Sequence, residues 1–177
     1  MMTETVVTVD QSHAAPPSST TATGPAGQAK PDNSLNWIKF NVQYFTSIPG
    51  ILKLVQLLFG IICMACASPA LLGGTHWFLF VVVTSFIATV LWSFVYLLGI
   101  REVLNLPINW ILTELLNTGI ATFLYFIAFI VQLASWSNII GYGRSANIAA
   151  GVFGLFNFLA YAAGTYFLYV EHKSSGV

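Results

Sequence analysis

Charge is what this chain has least of. Asp, Glu, Lys and Arg together make up 7% of its 177 residues, against about a quarter in ordinary globular domains. Six acidic and six basic side chains cannot cover the surface of a soluble domain of this size. The basic residues neither exceed the acidic ones nor cluster, which excludes nucleic acid as a partner, since phosphates demand grouped Lys and Arg. Cysteine is scarce too, and two residues rule out a disulfide framework. Gly-rich phosphate loops are absent. What is abundant is apolar bulk: 56% hydrophobic residues, with 14 Phe, 7 Tyr and 5 Trp. The composition is that of an integral membrane protein.

Residues 1–36 hold no Phe, Tyr or Trp and are dominated by Thr, Ser, Ala, Pro and Gly. Such a stretch buries too little apolar surface to offset its ordering entropy, so a disordered cytoplasmic tail is expected there. It lacks the basic start and apolar run of a secretory signal and could at most serve as a phosphorylated docking tail. From Trp37 the character changes. Trp37, Phe40 and Tyr44 recur at helical spacing among polar residues, which suits a short helix in the headgroup region.

Four uncharged apolar runs follow: Leu54 to Leu72, Trp77 to Ile100, Leu115 to Trp136 and Ser145 to Val170. At 1.5 Å per residue each crosses a hydrocarbon core of about 30 Å. Spanning helices are expected at about 51–72, 77–100, 110–136 and 145–170, since each must satisfy its backbone internally and no β-barrel alternation is present. The fold class read here is an all-α integral membrane protein, a four-helix bundle over 37–171 with a short cytoplasmic tail at 172–177. Connections are short: Gly73 to His76, Arg101 to Asn109, and Ser137 to Arg144. Lys30, Lys39, Lys53, Arg101 and Lys173 fall on one side and Arg144 on the other, so both termini are expected in the cytoplasm. Trp77 and Trp136 would then mark the outer interface and Trp110 the inner one.

The residues also carry a resemblance. Ile108 to Asn117, with Asn109, Trp110, Glu114 and Asn117, resembles the start of the third helix in MARVEL-domain proteins, and most closely their chemokine-like-factor-like group. Ala150-Gly151-Val152-Phe153-Gly154-Leu155-Phe156, with Ala160 to Gly164, resembles that group's fourth helix, and Ile48 to Lys53, including Pro49 and Gly50, its first. The resemblance runs in order from Ser47 to Val170. It implies a four-helix protein with cytoplasmic termini, acting without catalysis in vesicle transport, at junctions, in cell-cell fusion, or as a chaperone of other membrane proteins.

Few residues suggest chemistry. Cys63 and Cys66 form a CxxC, but about 15 Å past Lys53 they would lie near mid-bilayer, and nothing completes a zinc site, so they read as packing residues. His13, His76 and His172, with Asp10 and Asp32, are distributed so that no triad assembles. No enzyme, cofactor or metal is expected. Glu114 reads as a first-turn acid favoured by the helix dipole, paired with Lys53 or Arg101, in preference to a proton or cation site. Asn157 reads as an interhelical hydrogen bond, with Gln56, Asn117 and Gln132 as further polar members. Ala146, Ala150 and Gly154, then Ala160 and Gly164, form small-residue stripes that serve either the bundle or a partner, and the sequence does not separate these uses. The ending Ser175-Gly176-Val177 matches a PDZ ligand.

These features, with no buried ionisable constellation expected, suggest lateral binding of other membrane proteins (a client or a second copy) and of lipids. The plasma membrane or secretory and endosomal vesicles would be the location. The short outer loops argue against extracellular ligand recognition. A small channel or transporter along Glu114, Asn117 and Asn157 is the alternative.

Overall fold

The computed structural model describes residues 41–100 and 109–176. The tail 1–36, Trp37 and Phe40, most of the Arg101 connection and Val177 lie outside them. Four helices long and apolar enough to cross a membrane make up the described chain: α1 (Ile48–Ala67), α2 (Gly73–Leu97), α3 (Trp110–Ser137) and α4 (Arg144–Ser174). A 3₁₀ turn, Val42–Thr46, precedes α1. No strand occurs among the described residues.

Local chemistry sets the helix ends. The Ser47 hydroxyl accepts the Gly50 N–H at 3.3 Å, and Pro49 occupies the first turn, where a missing N–H costs nothing. Asn109 caps α3, its side chain accepting the Leu112 N–H at 3.1 Å. After α2, Gly99 takes φ 59°, and its N–H returns to the Tyr96 carbonyl at 3.2 Å. Arg144 donates from its guanidinium to the Trp136 and Ser137 carbonyls at the end of α3, where a cation meets the negative dipole end.

Two boundaries differ from the apolar runs. The first run continues to Leu72, yet α1 stops at Ala67, because Pro69 has no N–H to donate and disfavours helical geometry at Ser68. Gly73 to His76, expected as the loop, is instead the first turn of α2, and 68–72 makes the connection. Cys63 and Cys66 therefore lie in the last turn and a half of α1, not at its middle. At the other end α4 continues past Val170 to Ser174, taking in residues expected as tail.

The helices form a ring in which α1 packs on α2 and α4, and α3 on the same two neighbours. Inward positions recur every three or four residues. On α3 they are Ile111, Glu114, Thr118, Ala121, Tyr125, Ala128, Gln132 and Trp136. This is the 3.5-residue period that keeps one seam facing its neighbours. The centre is filled by Cys63, Phe78, Val81, Val82, Ala121, Tyr125, Ala128, Ala150 and Tyr161. Large apolar side chains face outward, as in the α2 series Trp77, Phe80, Val83, Ile87, Leu91 and Phe94. In a bilayer that surface meets acyl chains, so no hydrophobic penalty attaches to it.

Candidate functional site

The inward faces carry polar groups, and the most highly charged lie near the end of the bundle where the chain enters and leaves. Lys53 on α1 forms an ion pair with Glu114 on α3, across the ring's diagonal. The Tyr96 hydroxyl on α2 donates to the other carboxylate oxygen, and the Lys53 ammonium sits 5.8 Å from the Tyr96 ring centroid. Lys53 is 6% and Glu114 1% exposed. The adjoining cavity, lined by Gln56, Thr118, Gly164 and Leu168 among others, measures about 10 Å³, room for at most about one water. Desolvation at such a site costs several kcal/mol per ion, repaid only by close pairing and hydrogen bonds. Glu114, expected in the first turn, lies in the second turn of α3, where the dipole effect has faded, so Lys53 and Tyr96 are what stabilise its charge. A buried ionisable constellation thus exists where none was expected, with Lys53 as the partner and Tyr96 as the member that sequence reading missed.

Below this layer, cross-ties descend through the bundle. Gln56 Nε2 donates to the Ala160 carbonyl at 3.2 Å, and Thr122 meets Thr165 at 3.0 Å. Tyr161 shares a hydrogen bond with Thr89 at 2.7 Å and donates to the Ser85 carbonyl at 3.2 Å. Asn157 Nδ2 donates to the Tyr125 hydroxyl at 2.9 Å, and the Tyr125 and Tyr161 rings stack at 5.1 Å. The Cys63 thiol donates to the Ala150 carbonyl at 3.6 Å. At the far end Gln132 Nε2 donates to the Asn147 side chain at 2.9 Å, and Trp136 Nε1 to Thr75 at 2.8 Å. Tyr161→Phe should cost about 0.6–1.7 kcal/mol, the range for single interhelical hydrogen bonds in a membrane. Thermal unfolding in detergent would measure it. Thr89→Ala added to that variant should cost less than it does in the wild type, because the bond is already gone.

Several of the residues singled out from sequence lie at helix starts or in the packing of the bundle. Pro49 and Asn109 form helix starts. Ala150, Gly154 and Ala160 are buried inside the bundle, and a Cβ on Gly154 would lie 2.8 Å from Phe78. A Cβ on Gly164 would come within 3.1 Å of Gln56 Nε2. The bundle itself uses both small-residue stripes, apart from the exposed Ala146. Asn117 is half-buried, one turn past Glu114 at the margin of the inward face. Trp136, expected at the interface, is 2% exposed, whereas Trp110 is half-exposed and packs edge-on against Trp92. Cys66 borders a cavity of about 320 Å³ at the far end, between Pro69 and Tyr142. Ser175 is tied to the Glu171 carbonyl by its N–H at 3.0 Å and its hydroxyl at 2.8 Å. Among the described residues no group of three or more His, Cys, Asp or Glu could hold a metal ion.

The inward face was legible, in retrospect, from polar and small residues at a 3.5-residue period within apolar helices. Gly50, Lys53, Gln56, Gly60, Cys63 and Ala67 do on α1 what Glu114 to Gln132 do on α3.

Comparison with known proteins agrees with this architecture. No solved structure matches. Plasmolipin of Danio rerio is 28% identical over 137 residues, which cover 75% of this chain and 77% of the relative. The family model of the membrane-associating MARVEL domain matches residues 44–167, a stretch that takes in all of α1, α2 and α3 and most of α4. The chain belongs to the MARVEL family of multi-pass membrane proteins.

Proposed function

We propose that this protein organises or chaperones other membrane proteins, and the lipids around them, through lateral contacts of its helices, without catalysis. The carrying observation is how each helix divides its surface. Inward polar side chains such as Lys53, Gln56, Trp136 and Tyr161 find partners across the bundle, though the Gln132 Oε1 and Asn157 Oδ1 atoms are buried without one. Long apolar faces are left for the membrane plane, such as Phe80, Ile87 and Leu91 on α2. A protein built this way has little to offer a soluble ligand and much to offer a neighbouring helix. Family membership supports a trafficking, junctional or fusion setting, in plasma membrane or vesicles, with cytoplasmic termini. Within the family, the segments 108–117 and 150–156 favour the chemokine-like-factor-like group, and the plasmolipin match sets a second branch beside it. A PDZ domain would have to unwind the last turn around Ser175 to add it as a strand.

The test is cross-linking in intact cells, gentle-detergent purification and mass spectrometry, comparing the wild type with Phe80→Ala/Ile87→Ala/Leu91→Ala. A stoichiometric membrane partner should be lost at an unchanged melting temperature. Recovery unaffected by this variant, and by Leu116→Ala/Ile120→Ala/Phe123→Ala on α3, would refute lateral recognition and leave lipid organisation.

The channel alternative has less support. Glu114 is engaged by Lys53 and Tyr96 and the Asn157 Nδ2 by the Tyr125 hydroxyl, and Asn117 is only half-buried at the margin of the inward face. Ion flux in liposomes that disappears with Glu114→Gln would reverse this preference.

A further inference from the structure

We propose that the 3₁₀ turn before α1 is a strap coupled to the buried ion pair, so that lifting it loosens the bundle at that end. The inference is independent of which partner the helices bind. Four observations carry it.

The strap has no buried residue over Val42–Thr46, and hydrogen bonds tie it at both ends. The Asn41 N–H donates to the Leu97 carbonyl at 2.9 Å, and the Ser47 hydroxyl donates to the Tyr44 carbonyl at 2.5 Å. Segments with so little burial lie at the low-stability end of a fold.

It nevertheless rests directly on the bundle, and one glycine permits this. A Cβ on Gly50 would collide with the Tyr44 carbonyl oxygen and come within 2.7 Å of the Phe45 Cα. Any side chain at position 50 would force the strap away.

A continuous series of contacts then leads inward. The Tyr44 ring stacks parallel on Tyr96 with centroids 4.3 Å apart. Tyr96 donates to Glu114, and Glu114 pairs with Lys53. The strap, α2, α3 and α1 are joined in that order by three contacts.

Finally, the strap borders open space that the ion pair lacks. A cleft of about 460 Å³ lies between Asn41, Tyr44 and Ser47 on one side and Tyr96, Leu168 and Glu171 on the other. Pro49 and Leu168 line both this cleft and the 10 Å³ cavity of the pair. Movement of Tyr96 with the strap opens the one toward the other. Water then reaches two charges whose burial is costly, which favours the loosened state.

Hydrogen exchange by mass spectrometry on the full chain in lipid nanodiscs tests this. In Gly50→Ala, and in Tyr44→Leu, exchange should rise in 41–47 and, by about tenfold, in Thr113–Thr118. Tyr125–Gln132 should keep wild-type protection, which separates a local opening from a failed fold. Tyr96→Phe keeps the stacked ring but loses the bond to Glu114. It should loosen Thr113–Thr118 without disturbing 41–47, and Gly50→Ala added to it should give no further increase there. Unchanged exchange in Thr113–Thr118 for both Gly50→Ala and Tyr44→Leu overturns the proposal, as does full additivity with Tyr96→Phe.

Discussion

Glu114→Ala is expected to lower the stability of the bundle by about 3–5 kcal/mol, the usual effect of removing one partner from a buried ion pair. The substitution leaves Lys53, 6% exposed, with its charge inside the bundle and removes the acceptor of the Tyr96 hydroxyl. Lys53→Ala should cost a similar amount by stranding the carboxylate. The double variant Lys53→Met/Glu114→Leu removes both charges and keeps the volume, so it should return to within about 1 kcal/mol of the wild type. Unfolding by SDS in mixed micelles measures all four proteins. If Glu114→Ala unfolded with the wild type, the pair would be shown to contribute nothing. If the double variant were as weak as the singles, packing at these positions would matter more than charge.

The second large effect lies in the first half of α4. Gly154 faces Phe78, fully buried on α2, and a Cβ there would also lie 3.2 Å from the Phe129 Cβ. Gly154→Ala should cost about 1–3 kcal/mol by overpacking, even though alanine is the better helix former. Gly154→Leu adds three more carbons to the same contact, and the four-helix packing should be lost. Gly73→Ala is the control, because nothing lies within 4 Å of a Cβ at that position. Thermal unfolding followed by tryptophan fluorescence would rank the three. It follows that loss of a membrane partner in Gly154→Leu would report a damaged fold and not a client-binding face. The surface to vary is the outward one.

The four helices could be read from the sequence because crossing a bilayer requires a long uncharged run, and composition alone reveals that. The helix ends could not be read so well. Ser68-Pro69 lies inside an apolar run, and its effect is on the backbone, whereas Gly73-Gly74 looks like a loop and is helix. The use of the small-residue stripes also had to wait for the structure, since Ala150 and Gly154 would look the same facing a partner as they do facing Cys63 and Phe78. Glu114 was visible as the one acid in its region, and Lys53 as a cation at a similar depth. Tyr96 was not, because a tyrosine near a helix end ordinarily signals the interface, and only the fold brings its hydroxyl to the carboxylate.

The cross-ties have a consequence for how the protein is made. Every hydrogen bond and ion pair described above that leaves an inward-facing side chain of α1 or α2 ends on α3 or α4. Lys53 and Gln56, Cys63, Thr75 and Thr89 all wait for residues translated later. The first hairpin therefore enters the membrane with its adhesive groups unmatched, and the second brings their complements. During synthesis the early half is the one that needs protection. For the same reason, the two halves produced as separate chains should recognise each other and associate.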